Sequence, residues 1–154
     1  MLYLVRHAEA GDKHLWQGED AARPITALGR LQSEALVGSL SPYPIARIVS
    51  SPTARCVQTV EPLARRRGLP IQTDLDLGVE TGGEAAAALT LRLAGEAAVV
   101  CTHGEVIGHL LGSLFANGVA RPPGTLRWQK GSVWVIDDVG GRSPTARYLP
   151  PSPA

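Results

Sequence analysis

Cysteine is scarce in this chain of 154 residues, and its two copies, Cys56 and Cys101, stand far apart in apolar surroundings. Without close pairing they form neither a zinc nor a dithiol redox motif, so both are expected as buried free thiols. Charge of one sign is lacking as well, since 15 Lys and Arg against 14 Asp and Glu leave a formal +1. That balance creates no broad field to draw in a nucleic acid polymer or an anionic membrane, so any anion must be recognised locally. No stretch approaches the ~20 apolar residues of a membrane span, and the first residues show no basic segment leading into a long apolar one. A soluble, cytoplasmic chain is expected. Metal-ligand spacings such as HExxH are missing, and no internal repeat is present.

What is there is a pattern of short apolar runs alternating with helical ones. A chain of this size buries roughly two thirds of its unfolded surface, and we expect one domain over residues 1–149 with a disordered Pro-rich tail at 150–154. Leu2 to Val5 form a continuous apolar run suited to a strand buried on both faces. A Gly- and Asp-rich loop, residues 11–24, precedes a helix from Thr26 to about Leu40, whose Leu28, Leu31, Ala35 and Leu36 recur at helical spacing and leave Arg30 and Glu34 outside. Residues 45–51 read as a second strand, 53–67 as a helix stopped by Gly68, 71–73 as a short third strand and 84–93 as an alanine-rich helix. Residues 97–102 repeat the buried-strand pattern and 104–116 the helix. Leu126 to Asp138 suggest two strands joined at Lys130 and Gly131, and 146–149 an edge strand. Strands alternating with helices predict an α/β fold, an α/β/α sandwich with a mostly parallel central sheet.

Three predicted strand ends carry unusual polar residues: Arg6 and His7, then Ser50 to Arg55, then Thr102 to Glu105. Ligands of open α/β sheets bind at the carboxyl ends of strands, where helix amino termini also offer N–H groups to an anion. Taken singly, each cluster has an ordinary explanation. Ser51 or Thr53 would cap a helix, and His103 would bond inside a turn. If the three strands are neighbours, however, two arginines and two histidines surround one point. Arginine suits a phosphate there, because its planar fork makes paired hydrogen bonds and stays charged.

The segments LVRHAEA, SSPTARCVQT and CTHGEVI resemble the three signature segments of the histidine phosphatase, or phosphoglycerate mutase-like, superfamily. The resemblance covers residues 2 to about 110 and implies a phosphoglycerate mutase-like three-layer sandwich. It also implies roles: His7 as the phosphorylated nucleophile, Arg6 and Arg55 as phosphate clamp, and His103 as second pocket histidine. The stretch GEDAARPITALGRLQSEAL is further similar to the short SixA-type branch, and to histidine phosphatase domains that some actinobacterial proteins attach to Nudix domains. Arg23 in that stretch either reaches the phosphate or anchors its loop, and Gly104 and Glu105 join it as substrate-binding candidates.

Esterases of this superfamily usually place a carboxylate over the leaving oxygen, on the segment between the third and fourth strands. Glu80 is the first candidate for that general acid, with Glu84, Asp76 and Glu105 as rivals. His14 and Trp16 either line the entrance or lie on a solvated loop, the second reading being favoured for His14, and His109 is read as structural. No metal and no cofactor is expected, since neighbouring arginines repel a cation. The short link between the third and fourth strands leaves little chain for a lid, which favours a phosphatase over a mutase. The expected partner is a phosphorylated small molecule, such as a nucleotide, or a phosphohistidine protein, met by a monomer or homodimer. A non-catalytic phosphate-binding module is the alternative, because a fold does not dictate activity.

Overall fold

Leu2, Tyr3, Leu4 and Val5 have no solvent exposure in a computed structural model of the chain, which describes residues 1–153. Their strand, β1 (Leu2–Arg6), lies inside a six-stranded sheet, and successive side chains point to opposite faces. Leu2 and Leu4 pack in one apolar cluster with α3 (Gly83–Leu93) and α4 (Gly104–Ala116). Tyr3 and Val5 pack in another with α1 (Ala27–Ser39) and α2 (Ala54–Arg67). This is the predicted α/β/α sandwich.

The remaining strands are β2 (Arg47–Ser50), β3 (Ile71–Thr73), β4 (Ala98–Thr102), β5 (Val133–Asp137) and β6 (Thr145–Leu149). Their order is β3-β2-β4-β1-β5-β6, with the first four parallel, β5 antiparallel to β1 and β6 antiparallel to β5. The chain runs outward from β2 to β3 and then returns to insert β4 between β2 and β1. The three chemically unusual strand ends are therefore side by side.

Local signals account for the helix ends. Thr26 caps α1 by accepting from Gly29 N at 3.2 Å, and Gly68 ends α2 in the left-handed region at φ 66°. The buried face of α1 differs from its apolar pattern. Leu28 and Leu31 are 38% and 59% exposed, while Gly29, Gln32, Ser33 and Leu36 face inward. The first half of α1 lies over polar backbone: a Cβ at Gly29 would collide with the Glu9 carbonyl, and Gln32 Oε1 accepts from Glu9 N at 2.9 Å. Leu36 and Leu40, with half-buried Val37 beside them, reach the apolar cluster.

Two other expectations are corrected. Residues 126–129 form no strand, because side chains satisfy their backbone groups instead of a neighbouring strand. Trp128 O accepts from Arg6 Nη1 and Arg127 O from Trp134 Nε1. The following Gly131, at φ 82°, turns the chain so that its N–H meets the carbonyls of Arg6 and His7. The Pro-rich end also differs: Pro151 is buried and Pro153 O accepts from Gln32 Nε2 at 3.2 Å. Proline loses little freedom on ordering, so a single hydrogen bond and one buried ring go far in fixing it. Ala154 lies outside the described residues. Among the described residues no helix is long and apolar enough to cross a membrane.

Candidate active site

Arg6 pairs with Thr102 and Ser50 with Cys101 across the β1-β4-β2 ladder. The ladder continues one step beyond the strands, with His7 N donating to Thr102 O at 3.0 Å and Ser51 N to Cys101 O at 2.9 Å. The residues that follow emerge along one edge. The His7 and His103 rings consequently lie 5.5 Å apart, inclined at 63°.

His7 is fixed by the backbone around it. Ala8 N donates to Thr59 Oγ1 of α2 at 2.8 Å, and Glu9 N to Gln32 Oε1 of α1. The segment is thus tied to helices as well as to β4. His7 Nδ1 lies 2.9 Å from Ala8 O, an acceptor, so Nδ1 carries the hydrogen and Nε2 the lone pair. Burial pushes the His7 pKa down to about 4, with His103 and Arg55 adding repulsion. At neutral pH the ring is uncharged and of defined tautomer, with the Nε2 lone pair free.

His103 is oriented by α2 and the segment before it. Its Nε2 is 3.0 Å from Ser51 Oγ, and its Nδ1 is 3.5 Å from Arg55 Nη2, which only donates. Nδ1 is therefore the acceptor here, and Nε2–H donates to Ser51. The helix-cap reading of Ser51 and Thr53 fails, since neither side chain caps α2. Both cysteines are buried free thiols; Cys56 Sγ lies 3.7 Å from His103 Nε2.

Arg55 is buried and Arg6 half-buried, and both are short of acceptors. Arg6 Nη1 donates to Trp128 O at 2.9 Å, while Arg6 Nε and Arg55 Nε have no partner. An orphaned buried donor is costly, and an oxyanion in the cleft beside it removes that cost. Gly104 opens α4 against Arg6: a Cβ there would come within 2.9 Å of Arg6 Cζ. Burial lowers the Arg6 pKa, and the Glu105 and Glu9 carboxylates oppose that shift.

Asp20, which lies outside the three sequence motifs, joins the arginines. Its Oδ2 accepts from Arg55 Nη2 and its carbonyl from Arg55 Nη1, both at 2.9 Å, and its Oδ1 from Arg23 Nε at 3.1 Å. Burial alone would raise the Asp20 pKa, but the Arg23 hydrogen bond and the Arg55 charge reverse this and hold it below the usual value. The available signal was the i,i+3 spacing of Asp20 and Arg23 in a loop. Arg23, 7% exposed, also donates to Ala10 O and Gly11 O, so it anchors the loop over the site.

One cleft of about 760 Å³ is lined by Arg6, His7, Arg55 and His103 together with Arg23, Gly104, Glu80 and Glu105. These eight candidates are thereby brought to one cavity. His14 also lines it, whereas the rival acids Glu84 and Asp76 do not. Trp16 turns its Nε1 to Glu19 O at 3.0 Å and lines a separate groove. His109 packs its ring on Gly83, as a structural residue would. Among the described residues no group of three His, Cys, Asp or Glu side chains is placed to hold a metal ion.

Two neighbouring imidazoles flanked by two arginines, at the carboxyl ends of three parallel strands, define a phosphate-handling class of α/β protein. The comparisons are more specific: residues 2–78 match the histidine phosphatase superfamily (branch 1), and the chain belongs to that family. It is 35% identical over 153 residues to an 8-oxo-(d)GTP phosphatase of Mycolicibacterium smegmatis, covering 96% of this chain and 47% of that protein. The chain thus spans about half the length of that relative. Its fold resembles that of the protein histidine phosphatase SixA complexed with tungstate (TM-score 0.72, 21% identity, 97% and 94% of the two chains). It also resembles a mycobacterial glucosyl-3-phosphoglycerate phosphatase (TM-score 0.70, 18% identity, 96% of each chain).

Proposed function

We propose that this chain is a phosphohydrolase that passes the phosphoryl group of its substrate through Nε2 of His7. The observation that carries this is the His7 Nδ1 to Ala8 O bond, which leaves a neutral Nε2 lone pair beside two arginines with unpartnered donors. In the first step Nε2 attacks phosphorus, a P–N bond forms, and the bond to the leaving group breaks. Glu80 gives its proton to the leaving atom. Arg6 and Arg55 hold the charge on the equatorial oxygens, with His103 beside them. In the second step water attacks phosphorus, its proton passes to Glu80, the P–N bond breaks, and inorganic phosphate and neutral His7 are restored. The arginines provide the positive charge that magnesium provides in kinases, so the sequence of steps needs no metal.

The substrate class is a small phosphate ester, a nucleotide, or a phosphohistidine protein. The 8-oxo-(d)GTP phosphatase relative and the SixA-like fold support these choices. The link from β3 to β4 is taken up by two 3-10 turns and α3, and Glu80, Glu105 and Lys13 at the cleft are exposed. A cleft so open to water suits hydrolysis better than a mutase cycle.

The test is turnover of an aryl phosphate in excess chelator, with phosphoenzyme trapped by rapid quench at alkaline pH, where phosphohistidine survives. Wild type is expected to release phosphate and carry label, and His7→Ala to do neither. Equal release by both proteins would overturn the proposal.

A further inference from the structure

The cleft has a second branch. A cavity of about 500 Å³ shares Asp20, Arg55, Val79, Glu80 and His103 with the first and then runs between residues 51–53 and the 3-10 turns Leu75–Leu77 and Val79–Thr81. The two branches differ in chemistry. The first continues past Lys13, His14 and Lys130, whereas the second is walled by Leu75, Val79 and Pro52.

Leu75 and Val79 are 73% and 44% exposed, placed on a segment that is firmly tied down. Leu77 is fully buried and its carbonyl accepts from Thr102 Oγ1 of β4 at 2.6 Å. Thr81 Oγ1 meets the carbonyls of Leu75 and Gly78, and Asp74 caps the first turn through Asp76 N. A fixed loop that turns two large aliphatic side chains toward a cavity beside reacting groups gains nothing in stability from their exposure. A bound apolar surface would gain from it.

Charge narrows the occupant. Three acidic residues, Glu19, Asp20 and Glu80, line this branch, and its one arginine, Arg55, is already paired with Asp20. A leaving group with a second phosphate or a carboxylate would be repelled. Glu80 stands at the junction of the branches, in position to protonate an oxygen leaving into the second one.

Resting on the phosphohydrolase reading above, we propose that the second branch is the leaving-group subsite and that it selects uncharged, apolar-faced alcohols. Phosphate esters of such alcohols are the preferred substrates, ahead of nucleoside diphosphates, whose leaving group is anionic.

The experiment compares kcat/KM for 2-naphthyl phosphate, glycerol 2-phosphate and ADP in wild type, Leu75→Ser and Leu75→Ser/Val79→Ser. Wild type should favour naphthyl phosphate by at least tenfold over both others. The variants should lose most of that preference through KM, with the inhibition constant of inorganic phosphate unchanged and a wild-type circular dichroism spectrum. Equal or better use of ADP, or a preference indifferent to both substitutions, would overturn the subsite. Absence of all turnover would overturn the phosphohydrolase reading instead. In that event calorimetric binding to His7→Ala still reads the subsite: naphthyl phosphate should bind at least tenfold tighter than inorganic phosphate, and Leu75→Ser should erase the difference. Equal binding of the two ligands would again overturn it.

Discussion

Asp20 holds the end of the Arg55 guanidinium with two atoms, its carboxylate on Nη2 and its carbonyl on Nη1, each at 2.9 Å. The side edge of the same guanidinium, formed by Nε and the second hydrogen of Nη2, is left with an unpartnered Nε and a 3.5 Å approach to His103 Nδ1. One end of the fork is thus spent on aiming the other at the space next to His103. The loop that carries Asp20 is in turn anchored by Arg23.

Asp20→Asn is expected to weaken orthovanadate and inorganic phosphate inhibition by about tenfold, the value of one hydrogen bond to a charged group. The comparison is between inhibition constants of wild type and variant. Tighter inhibition in the variant would instead make Asp20 a competitor for the arginine.

Glu80 and Glu105 are the two acid candidates that line the cleft. Glu80→Gln should lower kcat for an alkyl phosphate by roughly 100- to 10,000-fold, the range for loss of a general acid, and much less for an aryl ester with a good leaving group. Glu105→Gln should change both similarly and modestly. A reversed ranking of the two variants on the alkyl ester moves the acid to Glu105.

His7 couples stability to pH. Its pKa is about 4 when folded against an ordinary 6.5, so between those values the unfolded chain binds a proton that the folded chain does not. Stability therefore falls as pH drops from 6.5 to 4, by on the order of 3 kcal/mol from this group. Urea unfolding at several pH values should show the slope in wild type and a shallower one in His7→Gln. Parallel curves for the two proteins would remove His7 as the cause.

Gly104→Ala separates the phosphate site from the fold. The added Cβ would meet the Arg6 guanidinium at 2.9 to 3.1 Å while that group is held by Trp128 O. Helix propensity favours alanine by up to ~1 kcal/mol, so the melting temperature should hold or rise. Phosphate inhibition should nevertheless weaken by about tenfold, since Arg6 must shift. An unaltered inhibition constant would show that Arg6 relaxes without consequence.

The strand ends were legible because buried parallel strands leave two signals in sequence, a continuous apolar run and an abrupt polar residue at its carboxyl end. Arg6, His7 and His103 all fall at such boundaries, and Arg55 enters through the helix start that follows β2. The inward face of α1 was not legible. Periodicity finds the side of a helix that is apolar, and this helix packs Gly29 and Gln32 against the polar backbone that supports His7.

By itself the sequence determined which elements form, which strand ends carry reactive groups, and which family the chain joins, since these follow from patterns local to each segment. Only the tertiary structure decided what those groups touch. Inserting β4 between β1 and β2 set His103 beside His7. Folding the 11–24 loop back placed Asp20 on Arg55, and the turns after β3 aimed Leu75 and Val79 into the cleft. Such contacts join residues dozens of positions apart through long-range packing, and no short-range periodicity encodes them.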